Sequence, residues 1–327
     1  MKKNRILILG RGRQANYFLY NILKKFKKID FFLEKDFTYS KNYNYKNLIK
    51  KLKINTVIVA TSTRKHFKII SKLIFFKINI ICEKPFTSNL KQARKLYLIA
   101  KDYKRFFLVN YQFRFEKFII LLKKNVDKNK YGKIKKIKIF WHTPFWNKNH
   151  RLHNFKSTKL HGGVLKEYGS HVIDYLTWIF GNDIEIKNVI KKIKFHKRLD
   201  KNNVLRKVTG EDSIKIDLLI NKIICTIDLS RVSNQNCHKV EVLGDLGRYR
   251  SAHVYPFLLK NLKIDEKIGN KNKYLNYRSA IPTRDLSNKL YFMNYFNNIK
   301  NSNPINNLAN FYNGFQVHRI INLINKF

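Results

Sequence analysis

Lys84, His171 and Glu167 are the residues of this sequence best suited to handle a proton and a reacting oxygen. Lys84 lies in Glu83-Lys84-Pro85, directly after the apolar run Asn79–Cys82. A lysine at such a strand end can hydrogen-bond a reacting hydroxyl or carbonyl oxygen, with a pKa lowered by partial burial or a nearby positive charge. From position alone it reads equally as one surface side chain among 52 lysines. Residues 162–181, GGVLKEYGSHVIDYLTWIFG, form the second grouping. On a helix Glu167, His171, Asp174 and Trp178 share one face, and Val172, Leu176 and Ile179 supply a core face. An imidazole titrates near neutral pH, and a carboxylate one turn away can orient it. The alternative is a solvated helix face with a satisfied histidine.

The third grouping is Gly10-Arg11-Gly12-Arg13-Gln14-Ala15, between the apolar run Ile6–Leu9 and a helical pattern. Gly10 permits a tight turn, Gly12 lets the backbone approach a pyrophosphate, and Ala15 fills the third small position. Arg13 and Gln14 join them as cofactor-binding candidates. Glu34 ends the next apolar run, where a carboxylate would accept a ribose 2′-hydroxyl. It would repel a 2′-phosphate, so NAD is expected over NADP, with Arg11, Arg13 and Lys35 moderating the preference. A glycine turn in a non-binding α/β protein is the alternative.

These groupings need a scaffold that brings strand ends together. Short apolar runs at 6–9, 31–33, 56–60, 79–82 and 106–110 alternate with helical stretches. That pattern predicts a Rossmann-type doubly wound parallel sheet over residues 1–116. Beyond it, a long strand 134–142, one helix and several consecutive strand-like runs from 184 to 249 predict an α+β domain over 117–327, with a mostly antiparallel mixed sheet. Asn221-Lys222 reads as a hairpin turn, and two helical segments, 286–300 and 308–326, close the chain.

Composition sets the bounds. Apolar residues make up 44 %, which supports a sizeable core and excludes a disordered chain. The net charge of +47 invites a nucleic-acid reading. Its densest runs, Lys24–Lys28, Lys133–Lys138 and Lys191–Arg198, alternate with apolar residues as solvated faces do, so nucleic acid is not the expected partner. Cys82, Cys225 and Cys237 have neither paired nor metal-ligand spacing, which fits a reducing, cytoplasmic compartment. No apolar stretch is long enough for a membrane span. Between 141 and 161 lie Trp141, His142, Trp146, His150, Arg151, His153 and His161. No metal is expected there; the better reading is a substrate loop, with Trp146 offering a stacking face and Arg151 facing an anion.

The chain resembles the Gfo/Idh/MocA family of glucose–fructose oxidoreductase-like and inositol dehydrogenase-like proteins. The likeness runs through GRGRQA, ATSTRKH (60–66), ICEKPFTSNLKQARKL (81–96), NYQFRF (110–115), the 162–181 helix and EVLGDLGRY (241–249). It implies hydride transfer between a nicotinamide cofactor and a sugar, nucleotide sugar or cyclitol, in a homodimer or homotetramer. It implies that Lys84 contacts the reacting oxygen, that His171 transfers the proton with Glu167 as partner, and that Glu83 sits near the nicotinamide ribose. Thr61, Ser62 and His66 would join the cofactor site, and Gln112, Arg114 and Asp174 the substrate site. Position 167 is commonly Asp in the family and is Glu here, one methylene longer. A non-catalytic binding protein on the same fold is the second reading, and a basic nucleic-acid-binding protein the third.

Overall fold

The computed structural model describes residues 4–27, 29–34, 45–147, 153–154, 157–159, 162–255, 257–301 and 307–327. Two compact units emerge: Met1–Gln112 with Ser287–His318, and Phe113–Leu286 with Arg319–Phe327.

The first unit begins with β1 (Asn4–Leu9), a π-helical segment Gln14–Leu19 and α1 (Tyr20–Leu23). It continues with β2 (Ile29–Leu33), α2 (Tyr45–Lys51), β3 (Thr56–Val59), α3 (Thr63–Leu73), β4 (Asn79–Cys82), α4 (Leu90–Ala100) and β5 (Phe107–Val109). The five strands are parallel, in the order β2-β1-β3-β4-β5. Ile6 to Leu9, Val57 to Val59 and Ile80 to Cys82 are all buried, as expected for parallel strands covered on both faces. Helix α3 buries His66, Ile69, Ile70 and Leu73, and α4 buries Ala93, Leu96 and Ala100 at helical spacing. The Asn89 side chain caps α4 by accepting the Gln92 N–H. The strand order reverses between β1 and β3, the place where ligands meet the carboxyl ends of an open α/β sheet.

The second unit opens with α5 (Lys117–Asp127), β6 (Ile134–His142), a π-helical segment Leu165–Gly169 and α6 (Ser170–Phe180). Its strands then follow as β7 (Ile184–Lys192), β8 (Lys197–Leu199), β9 (Leu205–Lys207), β10 (Ser213–Ile220), β11 (Ile223–Ser230), β12 (Cys237–Gly244), β13 (Gly247–Val254), β14 (Leu262–Ile268) and β15 (Lys271–Asn276). Eight of them form one sheet, ordered β15-β14-β13-β12-β6-β11-β10-β7. Only β6 and β11 run parallel within it. Asn221 and Lys222 both take positive φ, 47° and 66°, as a two-residue hairpin between right-twisted strands requires. Along β6, Ile137, Ile139 and Trp141 are buried while Lys136 and Lys138 are exposed, so one sheet face packs and the other stays open. Strands β14 and β15 were not marked by periodicity. Their sequences, LKIDEKI and KNKYLN, carry too few apolar residues to alternate clearly.

Helices α7 (Thr283–Asn301) and α8 (Phe311–Ile324) end the chain. The expected division at residue 116 assigns all of this to the second domain; Ser287–His318 instead counts with the first unit. Ala309 accepts the Val109 N–H at 2.8 Å, and Asn310 bridges to Leu108, which pairs the outer edge of β5. Tyr295, with no exposed surface, shares a 2.7 Å hydrogen bond with Thr56. Among the described residues no helix is long and apolar enough to cross a membrane.

Candidate functional site

In the first unit the candidate cofactor residues gather at the ends of β1, β3 and β4. Gly10 follows β1 at φ +137°, and a Cβ there would run into the Ala60 carbonyl, so only glycine serves. A Cβ at Gly12 would meet nothing within 4 Å among the described residues, so the backbone there is open to approach. Arg13 is exposed beside it, and Ala15 is fully buried under the helix start. Glu34 directly follows β2, and its Oε2 accepts the Gly10 N–H at 2.9 Å. A dinucleotide fits these residues. Gly12 and the following turn would face the pyrophosphate, and the Glu34 carboxylate would stand where a ribose hydroxyl can donate to it.

Thr61 and Ser62 are half-buried after β3, and Ser62 is the extended residue that starts α3. His66, one turn into α3, is buried between carbonyls. Its Nε2 lies 3.0 Å from the Thr61 oxygen and its Nδ1 3.1 Å from the Pro85 oxygen. It therefore ties the Thr61 loop to the Lys84-Pro85 turn, whose peptide bond is cis. Burial keeps the His66 imidazole pKa below its ordinary value, and burial raises the neighbouring Cys82 thiol. Glu83, buried, accepts the Gln14 amide at 3.1 Å and the Asn110 amide at 2.6 Å. Lys84 is half-buried beside it. Gln112 is buried at the start of a 3-10 turn, Gln112–Phe115.

In the second unit the helix face read from sequence divides in two. Asp174 accepts the Arg114 Nε and Nη2 at 2.8 and 2.7 Å, both side chains are buried, and the Arg114 guanidinium lies 5.3 Å from the Trp178 ring centre. Arg114 and Asp174, expected at the substrate, therefore spend their charges on each other. Burial still holds the Asp174 carboxyl above its ordinary pKa. Glu167 lies in the π-helical segment and pairs with Arg231 at 3.3 Å. Arg231 has no exposed surface, reaches Asp212 with Nε at 3.3 Å, and stacks over Trp146 at 4.4 Å. Arg198 covers the same ring at 5.1 Å, so Trp146 is buried against two guanidinium groups.

His171 is buried with its ring 4.5 Å from Phe113 and 6.4 Å from Trp141. Trp141 is sandwiched by Tyr168 at 4.3 Å and His238 at 4.5 Å, and Tyr175 shares a 3.2 Å hydrogen bond with His238. Arg231, Asp212, Asn110 and His238 were missed from sequence. An arginine closing the alternating run CTIDLSRVS was the one signal for Arg231. Of the histidines near 150, His142 is held by Asp228 and Ser233, and His153 bonds the Lys207 carbonyl. Arg151, His150 and His161 lie outside the described residues. Among the described residues no group of three or more His, Cys, Asp or Glu side chains is placed to hold a metal ion.

Residues 5–111 match an oxidoreductase family with an NAD-binding Rossmann fold, and residues 119–250 match the GFO/IDH/MocA C-terminal domain. The chain belongs to the Gfo/Idh/MocA family. An uncharacterised oxidoreductase of Synechocystis sp. is 27 % identical over 217 residues, 65 % of this chain and 58 % of that protein. The chain spans about half the length of the curated relatives it matches. Among solved structures, levoglucosan dehydrogenase in complex with NADH superposes with a TM-score of 0.81 at 14 % identity, covering 99 % of this chain and 96 % of that one. A super-repressor mutant of Gal80p from Saccharomyces cerevisiae has the same TM-score at 13 % identity, covering 99 and 95 %. These last two likenesses concern the fold, a Rossmann sheet followed by a mostly antiparallel mixed sheet.

Proposed function

We propose that this Gfo/Idh/MocA oxidoreductase uses NAD to interconvert a ring hydroxyl and a ketone on a sugar, nucleotide sugar or cyclitol. The observation that carries the proposal is the Gly10 turn, with Glu34 hydrogen-bonded to it, inside an NAD-binding family fold. The bound nicotinamide supplies the hydride acceptor or donor. Gly10 and Gly12 hold the pyrophosphate approach open, and Glu34 accepts a ribose hydroxyl while repelling a 2′-phosphate, which selects NAD over NADP. Lys84 donates a hydrogen bond to the reacting oxygen. His171 takes the hydroxyl proton on oxidation and returns it on reduction, with Glu167 biasing its orientation. The NADH complex of levoglucosan dehydrogenase supports a sugar-like substrate. In the same reading the protein is cytoplasmic and assembles as a homodimer or homotetramer through the open face of its eight-stranded sheet.

The Glu167–Arg231 pair favours a second reading, a binding protein on this fold that does not turn over, because it draws the partner carboxylate toward Arg231. One experiment separates the two. NADH absorbance is followed across a polyol, cyclitol and nucleotide-sugar panel with NAD and NADP. Turnover in the wild type, lost in Lys84→Ala with cofactor binding kept, supports the oxidoreductase. Full activity in Lys84→Ala overturns the mechanism, and cofactor binding without any turnover selects the second reading.

A further inference from the structure

We propose that Asn110 is a positioning residue for the dinucleotide turn, acting at a distance through Glu83 and Gln14. The inference rests on the NAD-dependent reading above. Asn110 follows β5, and its backbone N–H donates to the Cys82 carbonyl at 2.7 Å, while the Glu83 N–H donates to Val59 at 2.9 Å. These two bonds continue the parallel ladder and set Asn110 and Glu83 side by side past the strand ends. Asn110 is 1 % exposed and Glu83 6 %. The Asn110 Nδ2 donates to Glu83 Oε1 at 2.6 Å, and the same oxygen accepts Gln14 Nε2 at 3.1 Å. Only the NH2 end of an amide can face a carboxylate, so Glu83 dictates how both amides are turned.

Gln14 opens the π-helical segment two residues after Gly12, where backbone N–H groups would meet the pyrophosphate. A buried carboxylate keeps its place only while donors satisfy it. Asn110 is more deeply buried than Gln14, so its loss weakens the hold on Glu83 and, through it, on Gln14 and the turn. Asn110 after β5, Glu83 after β4 and Gln14 at the start of the π-helical segment thus form one chain of hydrogen bonds that ends beside the cofactor turn.

The test measures NADH affinity by fluorescence, alongside apo-protein melting, at pH 6 and pH 9. Asn110→Ala should bind NADH about tenfold more weakly at both values. Asn110→Asp is nearly isosteric and donates to Glu83 only while protonated, with two carboxyls sharing the site. It should match the wild type at pH 6 and fall toward Asn110→Ala at pH 9. In a double-mutant cycle with Gln14→Leu, the two losses should be far from additive, since both act through Glu83. Wild-type affinity in Asn110→Ala, a pH-independent Asn110→Asp or additive losses overturn the inference. Should Asn110→Ala fail to fold, the pH dependence of Asn110→Asp decides alone. If the wild type binds no NADH, the NAD-dependent reading fails and this inference with it; wild-type binding matched by Asn110→Ala sinks this inference only.

Discussion

Glu167 and Arg231 are joined at 3.3 Å, and the arginine makes this contact from a position with no exposed surface while also holding Asp212. The pair joins the helix carrying His171 to the end of β11. Replacing Arg231 with Met would leave Asp212 buried without its counter-charge, so a loss of about 3 kcal/mol or more is expected in urea unfolding. Glu167→Gln keeps an acceptor for Arg231 and should cost no more than about 1 kcal/mol. A stability change in Glu167→Gln as large as that of Arg231→Met would mean that the charge on Glu167, not its packing, holds this corner.

Gly10 and Gly12 should separate folding from binding. Gly10→Ala forces a side chain onto φ +137° and into the Ala60 carbonyl. A destabilisation of about 2 kcal/mol or more and loss of NADH binding are expected. Gly12→Ala adds a methyl group in open space, so its melting temperature should match the wild type while NADH affinity drops. Thermal melting with and without NADH reads both.

Acid should loosen the second unit. Burial pushes His238 down to about 3 and His253 down to about 4, both from an ordinary value near 6.5. Well above pH 6.5 both imidazoles are neutral in the folded and unfolded chain, so they add no pH dependence. Below it the unfolded chain takes up protons that the folded chain refuses, and stability falls until the folded values are reached. At pH 5 each group should cost about 2 kcal/mol relative to pH 7. Urea midpoints for the wild type and His238→Phe across this range check it; the variant should show a shallower decline.

The Arg114–Asp174 pair predicts a structural penalty. Asp174→Asn leaves a buried guanidinium without its carboxylate, and an unfolding cost of about 3–5 kcal/mol is expected. Unchanged stability combined with a raised KM would instead support the substrate contact that the family resemblance implies.

Periodicity and turn chemistry made the Rossmann half legible. Ile6–Leu9, Thr56–Val59 and Asn79–Cys82 are short uninterrupted apolar runs, and parallel strands buried on both faces permit little else. The hairpin at Asn221-Lys222 and the strand Ile134–His142 were legible for the same local reason. Strands β14 and β15 were not, because lysine and asparagine dilute their alternation. Ser287–His318 read as helix, but its membership in the first unit depends on Ala309 pairing with Val109, a contact 200 residues apart.

By itself the sequence determined the residue types at the strand ends: the Gly10 turn, Glu34, Glu83-Lys84 and the Glu167/His171 helix. Local rules suffice there, since glycine geometry, strand ends and helical spacing involve neighbours in the chain. Tertiary structure decided what each charge does. Glu167 goes to Arg231, Asp174 to Arg114, and Glu83 to Gln14 and Asn110. Nearly every buried ionised group must find a partner, and the partners here lie 27 to 69 residues away. No periodicity links residues so far apart; the folding of each unit brings them together.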